Sequence, residues 1–360
     1  MTQEMMYRFI KLNIFVIYIF LGIVLLPGTV KAMRDIPDDN LAYPVLVTAD
    51  DGTMASGFYV NHLKRLYFVT AKHVLFREPV DSYEKLTNVP IGLKFPESLS
   101  NRIYYDGNRG LLIFRGVMSN KDKEELLKIS SDPLFEKAIR ELFLKAQWIM
   151  KSKNVGLLSY PKDINGVGKN ILKLDVEKLH DKGMIKMHNS QDVVSIFIGK
   201  TEKEGDAIIF FDGISLISHT KSGIIGVDTS KTIKLFSEVL VGNEVFIFGY
   251  PTSLGIKEIK QIQHDKPLLR KGSVAGKNSE YKNVIIDCPT YPGNSGGPVI
   301  EKEQIEIGKW NYRLIGLISE FVPFEEMWIS KRFGLENKQW QNSGYSIVVP
   351  VDAIMELLTE

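Results

Sequence analysis

Eight consecutive residues carry the strongest chemical signal in the chain: Tyr291-Pro292-Gly293-Asn294-Ser295-Gly296-Gly297-Pro298. Glycine takes backbone angles that other residues reach only under strain, and proline fixes φ and removes a donor. Such a segment holds the backbone in a sharp, rigid turn with Ser295 at its tip. The N–H groups of Gly293 and Ser295 can then point to one spot. A hydroxyl beside two converging donors has the parts of a nucleophile with an oxyanion hole. The plain alternative is a Gly/Pro loop without chemistry.

A nucleophilic serine needs a base. Of the six histidines, His73 stands apart. It follows Leu66-Tyr67-Phe68-Val69-Thr70-Ala71-Lys72, a β-branched and aromatic run that reads as a strand. The other five show no metal-ligand spacing and read as surface or core residues.

Thr70-Ala71-Lys72-His73-Val74 resembles the Thr-Ala-Ala-His segment of the trypsin-like (chymotrypsin-fold) serine peptidases. Gly293-Asn294-Ser295-Gly296-Gly297-Pro298 is similar to their Gly-Asp/Asn-Ser-Gly-Gly-Pro segment, and the two occur in the family's order, over 200 residues apart. Val241-Gly242-Asn243-Glu244-Val245, leading to Gly249-Tyr250-Pro251, resembles the start of the second barrel in exported bacterial members. The resemblance implies a carboxylate between base and nucleophile, to orient the imidazole and stabilise its charged form. Asp192, opening Asp192-Val193-Val194-Ser195-Ile196, resembles the family's Asp-(Ile/Val)-Ala-(Leu/Val) strand. Asp175 is the rival; its other reading is a solvated strand residue sharing a face with Lys173 and Glu177.

What the resemblance implies is specific. The fold is all-β: two six-stranded antiparallel β-barrels of chymotrypsin type. The activity is a serine endopeptidase acting on protein or peptide through a Ser295-His73-Asp192 triad and an acyl-enzyme, with Gly293 and Ser295 N–H groups as the oxyanion hole. No cofactor or metal is called for. Pro289, six residues before the serine, falls at the base of the primary pocket, where an Asp would select Lys or Arg. Ser319-Glu320-Phe321 aligns with the pocket-wall Ser-Trp-Gly, so Phe321 replaces a glycine. Cleavage after basic residues is therefore not expected, and small or medium apolar residues are. Two other readings stand beside this one. One is a catalytically silent binding module of the same fold. The other is an esterase, since Gly293-x-Ser295-x-Gly297 formally matches the hydrolase elbow; but the order His73, Asp192, Ser295 is His-first, whereas those enzymes run Ser, Asp, His.

The elements that must position these residues can be read in outline. Residues 1–32 have the form of a signal peptide: Arg8 and Lys11, an apolar run from Leu12 to Leu26, then Val30-Lys31-Ala32 as a cleavage site before Met33. Export to the periplasm or medium is expected, or an uncleaved membrane anchor; the membrane is otherwise not a partner. Residues 33–235 read as a first barrel and 236–360 as a second. Leu41 to Val47 reads as an edge strand because of Pro44, and Asn61-His62 as a hairpin turn. Ser119 to Lys151 breaks the β pattern. Ser119 and Asp132-Pro133 are helix starts, and Phe135, Ala138, Ile139, Leu142, Phe143, Ala146, Ile149 and Met150 form a helical apolar stripe. This predicts a helical insertion in the first barrel at about 119–151, packed on the barrel's outside or overhanging the cleft. A last helix carries Val351, Ile354, Met355 and Leu358 on one face. The net charge of +2 argues against nucleic-acid binding, and the single Cys288 excludes an internal disulfide framework.

Overall fold

The first described elements are a short helix, α1 (Asp38–Ala42), and three strands, β1 (Pro44–Ala49), β2 (Met54–His62) and β3 (Arg65–Thr70). The computed structural model describes residues 36–77, 79, 82–85, 94–161, 168–202, 207–220, 223–252, 259–330, 332 and 334–359. The signal segment expected at residues 1–32 lies outside the described residues. Leu63 and Lys64 join β2 to β3 with φ of 49° and 64°, a mirror-image turn whose twist matches antiparallel strands. The hairpin turn therefore lies one step beyond Asn61-His62. His62 ends its strand, with Nδ1 2.8 Å from Thr229 Oγ1.

One helical turn, α2 (Lys72–Leu75), follows β3 and opens the insertion. A ribbon of β4 (Phe76–Arg77) forms its foot, and β5 (Ser82–Lys85), β6 (Ile103–Asp106) and β7 (Leu111–Phe114) make a small sheet in the order β5-β7-β6. Two helices follow, α3 (Asn120–Leu127) and α4 (Pro133–Lys145), and β8 (Ile149–Met150) returns to pair with β4. Ser119 and Asp122 form a reciprocal capping box at the start of α3. Asp132 caps α4 with Pro133 in its first turn. The predicted stripe runs two residues too far: Ile149 and Met150 belong to β8, because the chain must pair with β4 to close the insertion. The insertion has its own core of Leu112, Phe114, Leu126, Phe135, Ile139 and Leu142, among others.

The first sheet resumes with β9 (Asn154–Ser159), β10 (Asn170–Asp175), the helix α5 (Val176–Asp181), β11 (Ile185–Met187) and β12 (Val194–Lys200). Short strands β13 (Ile209–Phe210), β14 (Ile214–Ser218) and β15 (Val227–Asp228) complete it. Its order is β11-β12-β3-β2-β1-β9-β10-β14, with β13 on β12 and β15 parallel to β2. β1 pairs with β2 and with β9, so it is an interior strand; Pro44 is tolerated because it is the first residue. This sheet curls but does not close into the six-stranded barrel expected, since among the described residues its end strands β11 and β14 do not pair. The far edge of β12 is occupied instead by the β11 hairpin and by β13.

The second half does close. β16 (Glu244–Gly249), β17 (Leu268–Asn278), β18 (Asn283–Asp287), β19 (Pro298–Glu306), β20 (Lys309–Ser330) and β21 (Leu335–Pro350) form a six-stranded barrel in the order β16-β17-β18-β21-β20-β19. Val245, Ile247, Val274, Ile286, Val299 and Val348 fill it, following the period of two that puts alternate side chains on one face. The helix α6 (Val351–Thr359) ends the described chain, burying Val351, Ile354 and Leu358; Met355, assigned to that face by spacing, is only half-buried, and Leu357 takes its place. β20 and β21 continue past the barrel as a long two-stranded hairpin, paired out to Ser330 and Leu335. A curled antiparallel sheet beside a closed six-stranded barrel, with a terminal helix, is an architecture of the chymotrypsin type.

Candidate active site

His73 lies in the turn of α2, three residues beyond the end of β3. β3 is buried from Leu66 to Thr70, so the helical turn starts from fixed backbone. The His73 backbone N–H donates to Asp192 Oδ1 at 3.0 Å, and Nδ1 is 2.7 Å from Asp192 Oδ2. The carboxylate has no proton to give, so Nδ1 carries a ring proton, and in the neutral ring Nε2 presents a lone pair. The His73 carbonyl accepts a hydrogen bond from Lys151 Nζ at 2.6 Å.

Asp192 stands in the turn between β11 and β12 rather than on the strand itself. It has a third partner that motif reading did not assign to it: Ser319 Oγ donates to Oδ2 at 2.8 Å. Burial pushes the Asp192 carboxyl up. The side-chain bond to His73, the histidine's charge, the Ser319 hydroxyl and the His73 N–H act against it, and the balance lies below the usual carboxylate range. Asp175, the rival, is elsewhere and otherwise engaged: it caps α5, with Oδ1 accepting from Lys178 N at 2.9 Å.

The turn that carries Ser295 lies between β18 and β19. Gly293 and Gly296 have φ of 98° and 83°, angles that favour glycine. A Cβ on Gly293 would stand 2.3 Å from Tyr250 O. The N–H groups of Asn294, Gly296 and Gly297 donate to Tyr291, Ile318 and Asn294 carbonyls. Among the described residues, those of Gly293 and Ser295 have no protein acceptor. Two amides left open on either side of one residue that lines a cleft are chemically able to donate to an anionic oxygen. Ser295 Oγ itself donates to Ser319 O at 3.0 Å, and among the described residues no hydrogen bond joins it to His73.

Ser56, on β2, ties this turn to the first sheet. Its Oγ donates to Gly293 O at 2.7 Å and accepts from Tyr250 N at 2.9 Å, while its N–H donates to Ser295 O at 3.0 Å. Sequence reading gave Ser56 no part in the site, because its partners Gly293 and Ser295 lie more than 230 positions away.

His73, Asp192, Ser295 and Gly293 line one cleft of about 570 Å³. Ser319 and Phe321 are in its wall, with Glu320 between them. Pro289 is not; its neighbours Thr290 and Tyr291 line the cleft instead. On the side of His73 the wall is Lys72, Trp148 and Lys151, the last two from the foot of the insertion. The insertion thus reaches the cleft at its base, and its two helices do not line it.

No family model matches the chain, and no curated protein matches it. Solved structures do. The chain is similar to the HtrA-type protease AlgW with tripeptide (11% identity, TM-score 0.38), covering 89% of this chain and 60% of that one. It is similar to a serine endoprotease from Yersinia pestis (12% identity, TM-score 0.37, covering 91% and 67%). It is also similar to a thermostable serine protease, AL20, from an extremophilic microorganism (9% identity, TM-score 0.39, covering 89% and 96%). The chain spans about 60% of the length of the AlgW structure.

Proposed function

We propose that this chain is a serine endopeptidase in which Ser295 is the nucleophile, His73 the base and Asp192 the orienting carboxylate. One observation carries the reading: the Asp192 carboxylate takes both the backbone N–H and the ring Nδ1 of His73, in the cleft that holds Ser295 and two open amides. A surface ion pair needs no such two-point grip, and a binding module needs no imidazole so held in the cleft that a serine also lines.

The chemistry follows from these atoms. The Ser295 hydroxyl turns from Ser319 O toward His73 Nε2, which takes its proton as Oγ bonds to the substrate carbonyl carbon. The carbonyl oxygen becomes an oxyanion, held by the Gly293 and Ser295 N–H groups. The imidazolium, paired with Asp192, then protonates the leaving amine, and the C–N bond breaks. Water repeats the sequence on the acyl-enzyme, giving a carboxylic acid and restoring the Ser295 hydroxyl. The leaving amine must sit beside His73, so the C-terminal part of the substrate runs toward Trp148 and Lys151. The acyl part runs along Ser319 to Phe321.

Phe321, Thr290 and Ser319 bound the acyl side, which supports acceptance of small or medium apolar side chains rather than Lys or Arg. The natural substrate is a protein or peptide met after export, since residues 1–32 have the composition of a signal peptide. Exported protein labelled with a fluorophosphonate tests the reading. Labelling of the wild type and none of Ser295→Ala is expected, together with an N-terminus at Met33. An unlabelled, folded wild type, or a library cleaved efficiently after Arg, overturns the corresponding part.

A further inference from the structure

A carboxylate in a turn is only as well placed as the turn. Asp192 belongs to the six-residue connection, 188–193, between β11 and β12. The ring of His188 is packed within that connection, 13% exposed. Its Nδ1 lies 3.2 Å from Ser190 N and 3.0 Å from Gln191 N. Both are donors, so Nδ1 is the acceptor and the ring proton is on Nε2. Nε2 donates in turn to Glu356 Oε2 at 2.8 Å, on α6. His188 also closes the hairpin, its N–H donating to Val193 O at 3.0 Å. Its carbonyl accepts from Nζ of Lys72, the residue before His73, at 2.6 Å.

The rest of the connection is thinly supported. A second cavity of about 410 Å³ lies behind it, between the connection and α6, and shares Ser190 and Gln191 with the catalytic cleft. The backbone between His188 and Asp192 is therefore a wall with open space on both faces. Close packing does not fix it; hydrogen bonds do. Apart from the ring, the segment from Ser190 to Gln191 is held through Val193 N to Gln191 O at 2.9 Å and Gln191 Nε2 to Tyr281 O at 2.7 Å, while the His188 backbone bonds to Val193 and Lys72 anchor one end and the His73 and Ser319 bonds to Asp192 the other.

We propose that His188 is a positioning residue for the proposed reaction: its ring braces the turn that presents Asp192 to His73, and Glu356 of the C-terminal helix holds the ring. The inference rests on the reading of Asp192 as the orienting carboxylate. Removing the ring deprives two backbone N–H groups of their acceptor and frees the wall to shift, carrying Asp192 out of register with His73.

The test compares His188→Ala with His188→Asn, whose side-chain oxygen stands close to the place of Nδ1. Two readouts are taken: kcat and KM on a peptide substrate, and the far-downfield proton resonance of the His73 Nδ1–H held by Asp192. H188A is expected to lower kcat by about 10- to 100-fold with KM changed by less than about threefold, short of the roughly 10⁴ that follows loss of the carboxylate itself. It also broadens or shifts the resonance. H188N restores both. Wild-type kcat and resonance in H188A overturn the proposal, as does H188N behaving like H188A. Should H188A not fold at the assay temperature, H188N decides alone: a wild-type resonance supports the brace and its loss overturns it. Failure of the functional reading looks different, because the wild type would then resist the fluorophosphonate while the resonance still responded to H188A.

Discussion

Asp192 is largely buried and yet held ionised, and the sign of that effect sets a pH window. Its folded carboxyl lies below the ordinary value of about 4. Its charge therefore stabilises the fold fully above about pH 4, and the contribution drains away as the pH falls through the folded value. In Asp192→Asn this dependence is absent. The difference in unfolding free energy between wild type and variant should shrink as the pH falls below about 4, measured by denaturant titration across pH. The same variant is expected to lose about 10⁴ in kcat, because an amide can no longer hold the imidazole in the right tautomer. Ser319 shows where motif reading stops. By alignment it was a pocket wall, and it does line the cleft; but its hydroxyl is spent on Asp192 and its carbonyl on Ser295. A serine beside a glutamate in an apolar run has no local mark of that double engagement, which depends on a barrel strand meeting the Ser295 turn and a turn of the first sheet.

At the scale of elements, the insertion separates what is local from what is not. Its helix starts were legible because Ser119 and Asp132-Pro133 act on their own neighbours. Its foot was not, since β4 and β8 are two residues each and exist only by pairing Phe76 with Met150 and Arg77 with Ile149, far apart in the chain. The all-β, two-barrel plan was legible from the family motifs, but the way the first sheet's edges are capped by β11, β13 and β14 was not, because edge pairing leaves no local sequence signature. Because the insertion's core is distinct from the barrel's, damage to one should spare the other. Phe135→Ala leaves a cavity at a fully buried ring and is expected to cost the insertion about 3–5 kcal/mol. Hydrogen exchange should then speed up over residues 97–146 and stay slow in β16 to β21. Equal loss in both would mean that the insertion and the barrel unfold as one unit.

For the whole molecule, the nucleophile turn and the first sheet meet at one point. An added Cβ on Gly296 would lie 2.2 Å from Ser56 O and 2.2 Å from Thr70 Oγ1, with φ at 83°. Gly242 has a similar φ of 93° and nothing within 4 Å of the same atom. Gly242→Ala is thus expected to cost about 1–2 kcal/mol, the conformational term alone. Gly296→Ala should cost about 3 kcal/mol or more, as crowding adds to strain. The two melts, side by side, check it; equal losses would mean that the turn yields.

That meeting point makes reactivity a property of a seam. Ser56 grips the backbone of Gly293 and Ser295 from across the boundary, so the barrel does not own its proposed nucleophile outright. Anything that wedges the two sheets apart by the width of a hydrogen bond would quench the serine while each half still kept its strands, and such a molecule would fall silent well before it melted.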